Sequence, residues 1–169
     1  MGDADVSRLA RAFPEPPGTP ENRHLVRWRL QRAGLATAIA AWREDVPIGY
    51  CVVRWPVAGG EATAQAKALQ CAELGDLFVA AEWRRRGIAR HLVEAAETAA
   101  IDHGCTRLGL EVTVANPDNE DARQLYADLG FVDAGVGEFV SGYRYWTPDG
   151  LALRDEELHR YLIKELAAG

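Results

Sequence analysis

Apolar residues crowd together between Glu73 and Val79, at Leu74, Leu77, Phe78 and Val79, and a short run of this kind predicts a buried strand. Past the next turn the spacing changes. Ile88, Leu92, Val93, Ala96 and Ala100 fall on one face of a helix predicted over residues 88–103, with Gly104 as its stop. Upstream, Val6, Leu9, Ala10 and Phe13 share a face in a helix predicted within residues 1–13, and the proline-rich stretch 14–20 breaks it. A second helix is predicted over 22–32, capped by Asn22, with Leu25, Trp28 and Leu30 as its apolar face and Gly34 at its end. Strands over 35–42 and 48–57 flank Glu44-Asp45 and predict an antiparallel hairpin. Residues 58–70, rich in Gly and Ala and without strand alternation, read as a loop.

The second half continues the pattern. A strand over 106–114 follows the long helix, so the β-α-β unit predicts that it runs parallel to the strand over 71–79. A turn at 116–119 leads into a helix that starts at Asn119, carries Ala122, Leu125, Tyr126 and Leu129 at helical spacing, and ends at Gly130. A long strand over 131–146, bent at Gly135 or Gly137, and a last strand over 158–166 flank the turn 147–150. The expectation is one α/β (α+β) domain over residues 1–169, with a mixed, mostly antiparallel sheet flanked by helices and with residues 1–21 as a more loosely ordered leader.

The start of the long helix is chemically odd. A helix N-terminus carries partial positive charge and favours Asp or Glu. Here Arg84, Arg85 and Arg86 arrive consecutively, followed by Gly87, Ile88, Ala89 and Arg90. Three solvated arginines on a loop would account for this. So would an anion held by exposed amides, with Gly87 and Ala89 small enough to let it approach the backbone. The stretch has neither the G-x-x-x-x-G-K-[ST] of a P-loop nor the G-x-G-x-x-G of a dinucleotide fold.

Composition narrows the choices. The length of 169 residues suits one domain, and 48% hydrophobic residues suffice for a core. A net charge of −6 argues against a general nucleic-acid binder, which makes the arginine cluster a local exception. Cys51, Cys71 and Cys105 lie in or beside predicted strands without metal-ligand spacing, so free thiols in a reducing compartment are expected. No signal-peptide pattern and no apolar run of membrane-spanning length is visible, so a cytoplasmic protein without membrane partners is expected. His24, His91, His103 and His159 show no metal spacing and read as surface residues. Trp83 reads as packing, while Trp28, Trp55, Tyr143 and Tyr145 read as core residues or the lining of an acceptor pocket.

Two segments in order carry a resemblance. Arg84-x-x-Gly87-x-Ala89 at a strand-to-helix turn resembles the acyl-CoA pyrophosphate loop of the GNAT superfamily of N-acetyltransferases. Asn119-x-x-Ala122-x-x-Leu125-Tyr126-x-x-x-Gly130-Phe131 resembles that superfamily's second CoA-binding segment. The resemblance covers residues 35–166. It departs from the family's usual pattern in having no strand before the first helix and a longer loop over 112–119. It implies a centrally splayed sheet with acetyl-CoA as co-substrate in the cleft and a primary amine, on a small molecule or a protein, as acceptor.

The resemblance also implies roles. Backbone amides near Leu77, Phe78 and Val79, freed by a bulge, would hold the acetyl carbonyl. Amides from Arg84 through Arg85, Arg86, Gly87, Ile88 and Ala89 to Arg90 would hold the pyrophosphate, with Asn119, Ala122 and Tyr126 on the second segment. Tyr126 would protonate the leaving thiolate. Glu73 or Glu111 would take the amine's proton, with Asp76 a third carboxylate in reach. Each glutamate reads equally as a solvated strand residue. No covalent intermediate is expected, since no Cys or Ser sits in an activating constellation. A non-catalytic CoA-binding or ligand-sensing module of the same fold is the alternative, and a second copy of the chain is left open as a partner.

Overall fold

The sheet begins with the predicted hairpin. Strand β1 (Ala36–Arg43) turns at Glu44, whose φ is 53°, and pairs antiparallel with β2 (Val46–Arg54). Strand β3 (Ala72–Val79) pairs antiparallel with β2, and β4 (Arg107–Thr113) runs parallel to β3. Strands β5 (Val132–Trp146) and β6 (Ala152–Glu165) form a long antiparallel ribbon, and β6 inserts between β4 and β5. The order across the sheet is β1-β2-β3-β4-β6-β5. This computed structural model describes residues 2–14, 22–114, 119–147, 149 and 152–167, with the backbone alone at 143–146 and 152–154. Among the described residues no strand precedes the first helix.

The connection that positions the site is the parallel one. Strands β3 and β4 pair only at Ala72↔Leu108 and Glu73↔Gly109, then diverge. The mixed sheet is therefore two three-stranded halves joined at one end and open at the other. Helix α4 (Ile88–Asp102) lies across the sheet and buries Leu92, Val93, Ala96 and Ala100 against Cys51, Val53, Leu74, Val79, Leu108 and Leu110. Its buried face is the one that the period predicts, with Ile88 half-buried at its start. Each such aliphatic side chain contributes roughly 1.5–3 kcal/mol by leaving water, apart from the alanines, which contribute less.

Helices α1 (Asp3–Ala12) and α2 (Arg23–Arg32) precede the sheet. Residues 1–21 do not form a loose leader throughout. Within them α1 buries Val6 and Leu9, whereas 15–21, including most of the expected proline loop, lie outside the described residues. Asn22 caps α2 as its sequence predicts, accepting from the amides of His24 and Leu25. The face of α2 is a correction: its buried residues are His24 and Arg27, while Leu25, Trp28 and Leu30 are half-buried. Period analysis counts apolar residues, and here two polar side chains turn inward because partners await them.

Other expectations also change. Residues 58–70 are not all loop, because α3 (Ala64–Leu69) forms there, capped by Thr63, whose hydroxyl accepts from Ala66. The last strand begins at Ala152, ahead of the expected 158, because pairing with β5 continues beyond the body of the sheet. The register of β5 shifts between Asp133 and Glu138, around Gly135 and Gly137, where a bend was expected. Helix α5 (Glu120–Asp128) begins after Asn119, but the Asn119 side chain makes no cap hydrogen bond, and 115–118 of the preceding turn lie outside the described residues. His24 is not a surface histidine, being only 2% exposed, and His159 is half-buried. Trp55 is core, stacked on exposed His103, and Trp28 lies under the Arg32 guanidinium. The side chains of Tyr143 and Tyr145 lie outside the described residues. Cys51, Cys71 and Cys105 are free thiols, the first two buried.

Candidate active site

The site is built around an interruption of β3. Along β2 the pairing passes from Tyr50 to Val52, while along β3 it passes from Phe78 to Gly75. One extra residue is thus accommodated on β3, a β-bulge. Asp76 lies there with φ 53°, an uncommon conformation for a non-glycine residue. Beyond the bulge Ala80 donates to the Ile48 carbonyl of β2 at 3.0 Å. Because N–H directions alternate along a strand, Val79 and Leu77 direct theirs to the other side, from which β4 has departed. Two amides therefore face the opening between the half-sheets.

Strand β3 leads through a 3-10 turn (Ala81–Trp83) into the start of α4. Gly87 is the N-cap at φ 81°, where a side chain would be strained. The first intrahelical bond runs from His91 to the Gly87 carbonyl, and among the described residues the amides of Arg85 through Arg90 donate to no backbone carbonyl. A Cβ placed on Gly87 would meet no atom within 4 Å, so it would project into open space. These are the donors and the room that an anion requires.

A cavity of about 570 Å³ follows. It is lined by Leu77, Phe78 and Val79 of β3, by Arg84, Arg85, Gly87, Ile88, Ala89 and Arg90 of the helix start, and by Asn119, Ala122 and Tyr126 across from them. Trp83, Asp121 and Leu125 complete it. Arg86 is outside, exposed, with its guanidinium 4.9 Å from the Trp83 ring. Arg84 Nε donates to the Val79 carbonyl at 3.1 Å, and Arg85 reaches Asp121 at 2.9 Å across the mouth. All three arginines are exposed, as solvated side chains would be, but Arg84 and Arg85 each have a protein partner, and the helix start adds backbone amides as free donors.

Tyr126 projects from α5 into the core cluster, 8% exposed, with its ring edge-on to Phe131. Among the described residues its hydroxyl makes no side-chain hydrogen bond, although it lines the cavity. Burial, with the neighbouring Cys51 thiol, pushes its pKa up to about 12. It therefore keeps its proton throughout the neutral range.

Glu73 and Glu111 come together in a second, separate cavity of about 520 Å³, which is also lined by Arg54, Gly75 and Asp76. Glu73 is 3% exposed, and both its oxygens are engaged by Thr63, Oε2 by the amide at 2.8 Å and Oε1 by the hydroxyl at 2.7 Å. Burial raises its pKa above the usual carboxylate value, against the bonds from Thr63 and the charge of Arg54. Glu111 is half-buried and accepts one bond, from Ser141 Oγ to Oε2 at 2.8 Å. Glu73 thus secures the start of α3, whereas Glu111 keeps an oxygen without a described partner. Asp76 differs from both. Burial alone would raise its carboxyl, but the charges of Arg54 and Arg27 outweigh this and hold it below the usual range, which makes it a poor proton acceptor.

Sequence reasoning missed Arg27, Arg54, Thr63 and His24. Arg27 and Arg54 meet Asp76 from 49 and 22 residues away, and the shorter links of Thr63 to Glu73 and of His24 to Arg27 join polar residues that apolar period does not mark. Only the φ-tolerance of Asp and the bare Gly75 beside it hint at a bulge. Among the described residues no group of His, Cys, Asp and Glu is placed to hold a metal ion. No helix among them is long and apolar enough to cross a membrane.

A mixed sheet that opens between two parallel strands, with a helix N-terminus at the opening and a tyrosine-bearing helix opposite, is the acyl-CoA N-acyltransferase fold. The chain belongs to the acetyltransferase (GNAT) family, which it matches over residues 4–131. It is similar in fold to the ribosomal-protein-S18-alanine N-acetyltransferase of Escherichia coli, with a TM-score of 0.63, 16% identity and coverage of 100% of this chain and 92% of that one. It is likewise similar to a ribosomal-protein-alanine N-acetyltransferase of Brucella melitensis, with a TM-score of 0.65, 19% identity and coverage of 98% and 97%. An aminoglycoside 6'-N-acetyltransferase complexed with coenzyme A gives a TM-score of 0.60, 15% identity and coverage of 96% and 88%. Among curated proteins none matches the chain.

Proposed function

We propose that the chain transfers an acetyl group from acetyl-CoA to a primary amine by direct attack. The observation that carries this reading is the succession of three features along β3 and its turn. A carboxylate-lined cavity at residues 73–76, two outward amides at the bulge, and the free amides of a helix start follow one another in chain order. Acetyl-CoA supplies an activated acetyl group and a polyanionic handle. The amides from Arg85 to Arg90 hold the pyrophosphate, and Gly87 keeps the approach open. Val79 and Leu77 donate to the acetyl oxygen, where charge develops as the amine adds.

Glu111 takes the proton from the attacking amine, directly or through water, because it retains an unengaged oxygen on the acceptor side. Glu61, Glu73 and Glu111 in the acceptor cavity, where Arg54 is paired with Asp76, leave an acidic balance that favours a positively charged amine. The C–N bond forms, the C–S bond breaks, and Tyr126 donates to the departing sulfur. With its pKa near 12 against about 8.5 for an ordinary thiol, complete transfer from Tyr126 is uphill. The hydroxyl therefore acts as a hydrogen-bond donor to the thiolate, and the second proton that the nitrogen sheds on becoming an amide ends on the sulfur.

The test is a screen of amines with detection of released CoA thiol, beside calorimetry with acetyl-CoA. The amines include an alanine-terminated peptide and an aminoglycoside, the acceptor classes of the similar structures. Acetyl-CoA binding with thiol release only when an amine is present is the expected result. Binding without release in the presence of any amine would favour a non-catalytic sensing module instead.

A further inference from the structure

Asp76 is placed where a strand residue should be unstable. Its φ of 53° is disfavoured for a residue with a Cβ, yet the bulge that frees the Leu77 and Val79 amides depends on it. Two cations converge on one oxygen of its side chain: Arg27 Nε lies 2.9 Å from Oδ2, and Arg54 Nη2 also lies 2.9 Å from it. Each has its own support. Arg54 crosses β3 over Gly75, where a Cβ would collide with its guanidinium. Arg27 comes from α2, 7% exposed, with its guanidinium 4.8 Å from the Tyr50 ring and its Nη1 donating to His24 Nδ1 at 3.2 Å. His24 Nε2 in turn donates to the Phe13 carbonyl at 3.3 Å. A chain of contacts thus runs from the end of α1 through α2 to the bulge.

We propose that Arg27, Asp76 and Arg54 form a positioning clamp for acetyl transfer, in which α2 fixes the bulge and so aims the Leu77 and Val79 amides at the thioester carbonyl. The inference rests on the acetyltransferase reading. The pyrophosphate amides belong to another segment, so the clamp governs polarisation of the carbonyl and leaves anchorage of the co-substrate alone. A structural ion pair with no such role would leave the carbonyl untouched when it is broken in a folded protein.

The experiment uses the full chain with acetyl-CoA labelled with carbon-13 at the thioester carbonyl, read by carbon NMR. In the wild type the bound carbonyl resonance is expected to lie downfield of the free one. Asp76→Ala and Arg27→Ala are expected to lose most of this displacement while the Kd for acetyl-CoA changes less than about twofold, since the pyrophosphate amides are intact. Their kcat falls about 10²-fold with little change in the acetyl-CoA KM, the scale of a displacement near 1 Å. Asp76→Asn tolerates the same backbone conformation, still accepts hydrogen bonds, and is expected to recover most of the displacement. If Asp76→Ala fails to fold, Asp76→Gly decides: it takes positive φ without strain but lacks the carboxylate, and a lost displacement supports the clamp. A wild-type displacement that persists in Arg27→Ala and in the folded Asp76 variants overturns the clamp alone. Acetyl-CoA bound to wild type with no displacement, or not bound at all, overturns the acetyltransferase reading with it.

Discussion

Tyr126 on the first cavity and Glu111 on the second each keep a polar atom without a described partner, and neither carboxylate oxygen of Glu73 does. Deleting the Tyr126 hydroxyl keeps the ring and its edge-on contact with Phe131. Tyr126→Phe is therefore expected to melt like wild type and bind acetyl-CoA normally. Its turnover should fall by about 10²–10⁴-fold, the usual worth of a positioned proton donor. Steady-state kinetics beside a melting curve check this, and normal turnover would reduce the residue to packing. The two glutamates should divide. Glu111→Gln is expected to lower kcat/KM at least about 10²-fold across its pH profile, with an unchanged melting curve. Glu73→Gln should chiefly lower the melting temperature, because one of the two carboxylate oxygens that accept from Thr63 becomes an NH2 donor. A profile for Glu111→Gln that overlays the wild type would remove it from the reaction. At this scale the place of Tyr126 and Gly87 on the first cavity was legible because their signal is local, a short segment on a helix or a turn. Arg27, Asp76 and His24 were not, because their meaning is a contact between α2 and β3 that no local pattern encodes.

Among the elements, the start of α4 concentrates most of the binding expectation. Gly87→Val places a β-branched side chain at φ 81° and projects it into the first cavity. The backbone strain costs about 1–2 kcal/mol, and the side chain stands where the pyrophosphate is proposed to lie. Calorimetry should show acetyl-CoA affinity reduced at least tenfold, the factor that about 1.4 kcal/mol represents. Arg84→Ala should cost less, because the Arg84 guanidinium binds the Val79 carbonyl rather than pointing to the helix start. Equal affinity for wild type and Gly87→Val would refute the phosphate-loop assignment. The elements themselves show what periodicity can read. Helix α4 has a long apolar face and was legible to within a residue of its end. Helix α2 was legible in extent, through its Asn22 cap, but not in orientation, because Arg27 and His24 are inward by virtue of their partners. Helix α3 was missed because six residues, Ala64–Leu69, carry too little period. The extension of β6 to Ala152 was missed because its strand character comes from pairing with β5 and not from alternation.

At the scale of the whole molecule, two half-sheets meet through only two residue pairs of β3 and β4, so groups that tie helices to that seam should govern acid stability. His24 lies between Phe13 and Arg27, and burial first, then the Arg27 charge, lowers its pKa from 6.5. The unfolded chain therefore binds a proton below pH 6.5 that the folded chain resists, and stability falls as pH drops through that value. The lowered carboxyl of Asp76 acts in the same sense further down, its stabilisation being present above 3.8 and lost as pH falls below that. Glu73 acts in the opposite sense. Its raised pKa means that the folded state takes up a proton first, so its burial costs stability as pH rises through 4.5 and the cost is complete above the folded value. Between pH 7 and 5 the wild type should lose stability on acidification, with protonation of His24 in the unfolded chain as the driver and Glu73 offsetting part of the loss at the acid end. His24→Gln removes the titrating group while leaving an amide to reach the Phe13 carbonyl. Urea unfolding at half-unit steps of pH should then show a flatter slope for His24→Gln than for wild type between pH 6.5 and 5, and parallel curves above pH 7. A wild-type slope unchanged by His24→Gln would mean that the histidine titrates alike folded and unfolded, and that the link from α1 through α2 to the bulge is too open to exclude a second cation beside Arg27.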